Sequence, residues 1–174
     1  MRHFIGGIEG EFKRYKKLGN EAIRQVHDDA QLSAEGPGGG NSIAVLVWHL
    51  SGNLKSRFTE FLTSDGEKPW RKRDEEFIFR SVSRAELLAK WEEGWTVALQ
   101  ELQSLTDADL NQSVIIRGET FSVSDALLRS VAHAAYHAGQ IVYLAKAFRG
   151  AAEFESLSIP LGMSEEFRKN PTRS

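Results

Sequence analysis

Two histidines, His133 and His137, stand four residues apart in the alanine-rich run "SVAHAAYHAGQIVYLAKAF", residues 130–148. On a helix, positions i and i+4 share a face. Both imidazoles would then project together, in register with Ser130, Gln140, Ile141 and Leu144. Their small neighbours, Ala132, Ala134, Ala135, Ala138 and Gly139, would let a facing helix approach closely. Two imidazoles buried without partners would each cost on the order of 2 kcal/mol or more. A shared divalent cation removes that cost, because neutral imidazole nitrogen is a good ligand for zinc, nickel or iron. The spacing alone also arises by chance, and a pair of hydrogen-bonded core histidines is the competing reading.

A third ligand is available in "VLVWHLSGNLKSRF", where His49 lies among Val45, Leu46, Trp48 and Leu50. Asn53 and Arg57 follow it on the same face at one and two helical turns, and Gln140 lies one turn beyond His137. Asn53, Arg57 and Gln140 are candidates for orienting water, substrate or a ligand ring. His3 and His27 fall near the ends of the first helical segment, where solvent exposure is expected. There is no cysteine, so a metal here must be held by His, Asp or Glu. Three protein ligands leave coordination positions open, as catalytic sites do. An open position can lower the pKa of bound water towards ~7, or hold a thiol as thiolate. Position 134 is alanine, not the glutamate of the HExxH metalloprotease helix, so that chemistry is not expected. No carboxylate stands four residues from any of the three histidines. Tyr136 lies off the ligand face and is expected to pack, and Trp48, Trp91 and Trp95 read as core.

Four long periodic segments must position these groups. The first spans about 3–27, with Phe4, Ile8, Phe12, Tyr15, Leu18, Ala22 and Val26 recurring at three- and four-residue steps. "SAEGPGGGNS" breaks the pattern, and a second helix opens at Asn41 or Ser42 and runs to about Thr63. Residues 64–82 read as an extended connection whose "RKRDEE" run is a solvated surface. A capping-box pattern, Ser83 with Glu86, starts the third helix, whose apolar stripe is Leu87, Leu88, Trp91, Trp95, Leu99 and Leu102. β-Branched residues flank Arg117-Gly118-Glu119, which suggests a short hairpin. The fourth helix starts near Ser122 or Ser124 and stops at Gly150, leaving residues 151–174 as a polar tail. The expected fold is all-α: a four-helix bundle in a single domain spanning 1–174, with a short hairpin before the last helix. The connection of residues 64–82 could span a whole helix length, so periodicity leaves the order of helix directions open.

The chain has 174 residues, with 22 basic against 24 acidic side chains and a formal net charge of −2. That balance gives no reason to expect nucleic acid or an anionic membrane as partner. No apolar run is long enough to span a bilayer and no signal peptide is evident, so a cytoplasmic protein is expected.

"WHLSGN" early in the second helix, together with "AHAAYHAGQI" in the last, resembles the DinB superfamily, also called DinB/YfiT-like metalloenzymes. The resemblance covers the chain to about residue 150, and the ending "SLSIPLGMSEEF" is similar to a subgroup labelled as a domain of unknown function. It implies a four-helix bundle in up-down-down-up order and a divalent metal, nickel or zinc, on His49, His133 and His137. It also implies a homodimer. Some relatives are metal-dependent thiol S-transferases or isomerases using mycothiol, bacillithiol or glutathione. The function expected is therefore transfer of a low-molecular-weight thiol to an electrophilic small molecule. A non-catalytic metal-binding bundle and a metal-dependent hydrolase remain the alternatives. The first predicts no pocket beside the metal, and the second requires a general base beside its water.

Overall fold

The computed structural model describes residues 1–171. Six α-helices are present among them: α1 (His3–Gln25), α2 (Asp29–Ser33), α3 (Ile43–Phe58), α4 (Arg84–Ser104), α5 (Val123–Arg149) and α6 (Ser164–Lys169). Two strands, β1 (Ser113–Ile116) and β2 (Glu119–Ser122), form an antiparallel hairpin between α4 and α5. No described helix is long and apolar enough to cross a membrane.

Most of the expected stripes turn inward. On α1, Ile8, Phe12 and Ala22 are buried together with Ile5 and Ile23, whereas Phe4 is exposed and Tyr15 and Leu18 are half-buried. On α4, Leu87, Trp91, Trp95 and Leu102 are buried together with Ala98, with Leu88 and Leu99 half-buried. Helix α3 is apolar around most of its circumference and is buried from Ile43 to Val47. It packs along α4 on one side and touches α5 on another, while α1 lies along α5. Phe12 ties three helices together, edge-on to Phe58 at 5.4 Å and to Trp95 at 5.9 Å between ring centroids. A side-chain carbon at Gly94 would lie 2.6 Å from the Ser51 Cα, so α3 and α4 meet there backbone to backbone.

Local signals set the starts. Ser42 and Ser122 each accept from a backbone N–H three residues on, both at 3.1 Å. Ser83 and Glu86 form the reciprocal capping box expected for α4. Helix α1 has no such cap of its own. The Asp107 carboxylate, at the far end of α4, accepts from the N–H groups of His3 (2.6 Å) and Ile5 (3.1 Å). Arg2 answers by donating to the Leu102 and Leu105 carbonyls.

The hairpin forms where the β-branched runs placed it, with Ile116 opposite Glu119. Its two-residue turn needs positive φ at both positions. Gly118 takes φ 75° readily, but Arg117 at φ 56° does not. Asp65 compensates by accepting from the backbone N–H groups of both, each at 2.8 Å. The segment after α3 is thereby tied to the tip of the hairpin.

Several boundaries differ from the sequence reading. Helix α1 ends at Gln25 and α3 at Phe58, not at residue 63. No Gly or Pro marks that second stop; instead the chain turns through Glu60 at φ 50°. Helices α2 and α6 are too short for periodicity to reveal. The connection of residues 64–82 is not simply extended: Arg73–Phe77 forms a 3-10 turn packed on α3. The tail folds back on α1, where the Gln25 side chain bonds both the N–H (2.7 Å) and the C=O (3.1 Å) of Glu155. Its last residues, 172–174, lie outside the described residues.

Candidate metal centre

His49 comes from the middle of α3; His133 and His137 come from successive turns of α5. Their Nε2 atoms converge: His133 Nε2 lies 3.2 Å from that of His49 and 3.1 Å from that of His137. His49 and His137 are buried and His133 is half-buried, and one nitrogen from each lies within 4.8 Å of the others. His3 and His27 are exposed, as expected for helix ends.

The opposite nitrogens explain why this cluster suits a cation. His49 Nδ1 donates to Glu76 Oε2 at 2.9 Å, and His137 Nδ1 donates to Gln140 Oε1 at 2.8 Å. Those acceptors assign the ring proton to Nδ1 in both residues and leave each Nε2 with an exposed lone pair. A proton on His133 Nε2 could serve only one of its two neighbours. A cation serves all three. Tetrahedral zinc, with nitrogen ligands at about 2.0–2.1 Å, would space them about 3.4 Å apart, close to the separations found. His133 Nδ1 is buried and has no partner among the described residues.

Burial and charge keep His133 and His137 in the form that binds metal. Burial, then electrostatic coupling to the neighbouring His137 and His49 rings and the positive charges of Arg71 and Arg57, push His133 down to about 3. Burial also lowers His137, with the Gln140 hydrogen bond opposing it. Neutral imidazole is the ligating form.

Glu76 is the residue the sequence reading missed. The "RKRDEE" run was expected to be solvated, yet both its first and last residues, Arg71 and Glu76, are buried. Arg71 grips the carboxylate with Nε to Oε1 at 2.8 Å and Nη2 to Oε2 at 2.9 Å. Burial alone would raise the Glu76 carboxyl, but hydrogen bonds from Arg71 and His49 together hold it below the usual carboxylate range. The result is a carboxylate–histidine pair that fixes ring orientation and raises ligand basicity. A signal did exist in "WHLSGN". Any side-chain carbon at Gly52 would collide with Glu76 Oε1, so the glycine three residues after His49 clears the path for that carboxylate.

A model of the family described as a protein of unknown function, DUF1572, matches residues 1–163. The chain belongs to the DUF1572 family. No curated protein and no solved structure matches it. The DUF1572 match takes in all three histidines, Glu76, Arg71 and Gln140, and ends just before α6.

The other candidates in this DUF1572 chain are placed as follows. Asn53 and Arg57 line a cleft of about 220 Å³ that also touches His49 and His133. Gln140 is not in that cleft; it holds His137 and borders a separate pocket on the other side of α5. Tyr136 corrects an expectation: its side chain is 63% exposed, with its ring edge-on to His137 at 4.9 Å, so it does not pack in the core. Trp91 and Trp95 are fully buried and Trp48 is partly so.

Proposed function

We propose that this DUF1572 protein is a DinB-like four-helix bundle, one domain in up-down-down-up order. It binds a divalent metal, nickel or zinc, through His49, His133 and His137 and transfers a low-molecular-weight thiol to an electrophilic small molecule. In this reading it works as a cytoplasmic homodimer without nucleic-acid or membrane partners. The observation that carries the reading is the convergence of three Nε2 atoms while two of the opposite nitrogens are already committed to side-chain acceptors. The pairing of α3 with α4 and of α1 with α5 supports the bundle, as does the long segment crossing between α3 and α4.

The bound metal would supply Lewis-acid activation of the thiol sulfur as a nucleophile. The chain's own residues do the rest. Glu76, held by Arg71, fixes the His49 ring, and Gln140 fixes that of His137. Asn53 and Arg57 stand in the adjoining cleft, where a substrate could be oriented.

Two observations order the alternatives. A cleft beside the histidines favours a catalytic centre over a purely structural one. Hydrolysis wants a free general base, and the carboxylate at hand, Glu76, is already engaged by both Arg71 and His49. The deciding experiment is elemental analysis of the purified protein beside His49→Ala, followed by an assay of bacillithiol or glutathione with a model electrophile. About one metal per chain, lost in the variant, is expected. Equal rates for wild type and His133→Ala would remove the transferase reading.

A further inference from the structure

The cleft next to the histidines is lined by five arginines from separate parts of the chain. Arg57 comes from α3, Arg71 and Arg73 from the connection after it, Arg117 from the hairpin turn and Arg129 from α5. Among the described residues no carboxylate lines it. Three acids ion-pair with these arginines: Glu76 with Arg71, Glu67 with Arg57 and Arg117, and Asp74 with Arg73. Five cations therefore meet three anions, and the pairs are uneven. Glu67 sits 2.8 Å from Arg117 but 3.4 Å from Arg57, and Asp74 is 3.7 Å from Arg73. Arg129 has no ion-pair partner among the described residues; its guanidinium lies over the Phe121 ring, 5.6 Å from the centroid.

A second observation is independent of that count. The Arg71 side chain is only 2% exposed, yet its Nη1 has no hydrogen-bond partner among the described residues. An unmet guanidinium donor in a buried side chain is costly, and an oxyanion in the cleft would satisfy it.

We infer that this cleft holds the carboxylate or phosphate group of a small anionic substrate, with the rest of the molecule directed towards His49 and His133. The chemical sense of that placement rests on the metal-dependent transfer proposed above; the anion site itself does not. At about 220 Å³ the cleft is smaller than the roughly 300–1,000 Å³ typical of drug-sized ligands, so it suits one acidic group with a few further atoms. Arginine forks match the planar or tetrahedral oxygens of such groups.

The test is calorimetric titration of the full chain, zinc-loaded and chelator-treated, with succinate, inorganic phosphate and neutral succinamide. Succinate or phosphate should bind in both preparations and succinamide in neither, and the better of the two anions identifies the group. Arg73→Gln and Arg129→Gln, both at exposed positions, should each weaken binding about tenfold with the melting temperature unchanged. Raising salt from 50 to 200 mM should weaken binding as well. Failure of both anions to bind at millimolar concentration would overturn the inference, as would binding confined to the zinc-loaded form and indifferent to the arginine variants. Protein that loads metal but binds no anion would remove the inference and leave the metal reading standing. Arginine-dependent anion binding in a protein that takes up no metal would do the reverse.

Discussion

Glu76 Oε2 lies 2.9 Å from His49 Nδ1, although 27 residues and a change of element separate the two in sequence. Losing a carboxylate behind a ligating histidine typically costs 10- to 100-fold in metal affinity. Glu76→Gln keeps the size but removes the charge and turns one of the two acceptor oxygens that face Arg71 and His49 into an NH2 donor. We expect zinc affinity to fall by about that factor with the helical signal retained, as read by competition with a chromophoric chelator. Unchanged affinity would mean that Glu76 serves only Arg71.

Gly52 reaches the same end by a different route. A methyl group there meets the Glu76 carboxylate, so Gly52→Ala must push the acid away from both Arg71 and His49. Breaking a buried ion pair by displacing one partner costs about 3–5 kcal/mol. Gly52→Ala should therefore lower both stability and zinc affinity, whereas Ala at an open helical glycine, such as Gly139, should lower neither. Chemical denaturation with and without zinc separates these outcomes.

Zinc or nickel should raise the melting temperature of chelator-treated protein. At a hundredfold excess over the dissociation constant the gain is about 2.7 kcal/mol. His133→Ala should abolish most of the increment. A wild-type melting curve indifferent to both metals would contradict the site.

The pH dependence follows from His133. Its folded-state pKa of about 3 lies below the ordinary histidine value of 6.5, and that of His137 is lowered as well. Below 6.5 the unfolded chain therefore takes up protons that the folded chain refuses, and stability falls as pH drops from 6.5 towards 3. Chelator-treated protein should melt progressively lower between pH 7 and 4.5, a range above most carboxylate titration. His133→Gln should flatten that slope. Equal slopes for the two proteins would show that the ring titrates normally.

Phe12 tests the core. It is fully buried and sits edge-on to aromatic rings of α3 and α4. Phe12→Ala should cost about 3–5 kcal/mol by denaturant unfolding.

Much of this site was legible because its signals are local. His133 and His137 share a helical face by spacing alone, and Gln140 lies on the next turn. The Ser83 capping box and the hairpin around Arg117-Gly118 are likewise written in a few adjacent residues. Glu76 and Arg71 were not legible, because their run has no periodicity and mixed charge usually means solvent. Their burial is decided by where the segment crosses α3, which is a property of the tertiary fold. The end of α3 was missed for a related reason: the chain turns at Glu60 without a glycine or proline to mark it. Tyr136 was misjudged because, among the described residues, its side of α5 is left exposed.

Of the three imidazoles, His133 is the one whose far nitrogen finds no partner among the described residues, and it also borders the arginine cleft. Its neighbours are each pinned at both ends of the ring once an ion is shared, so thermal rotation is cheapest at this corner. Ion capture and escape should accordingly pass through His133, making it the hinge of exchange, while His49 and His137 form the standing frame.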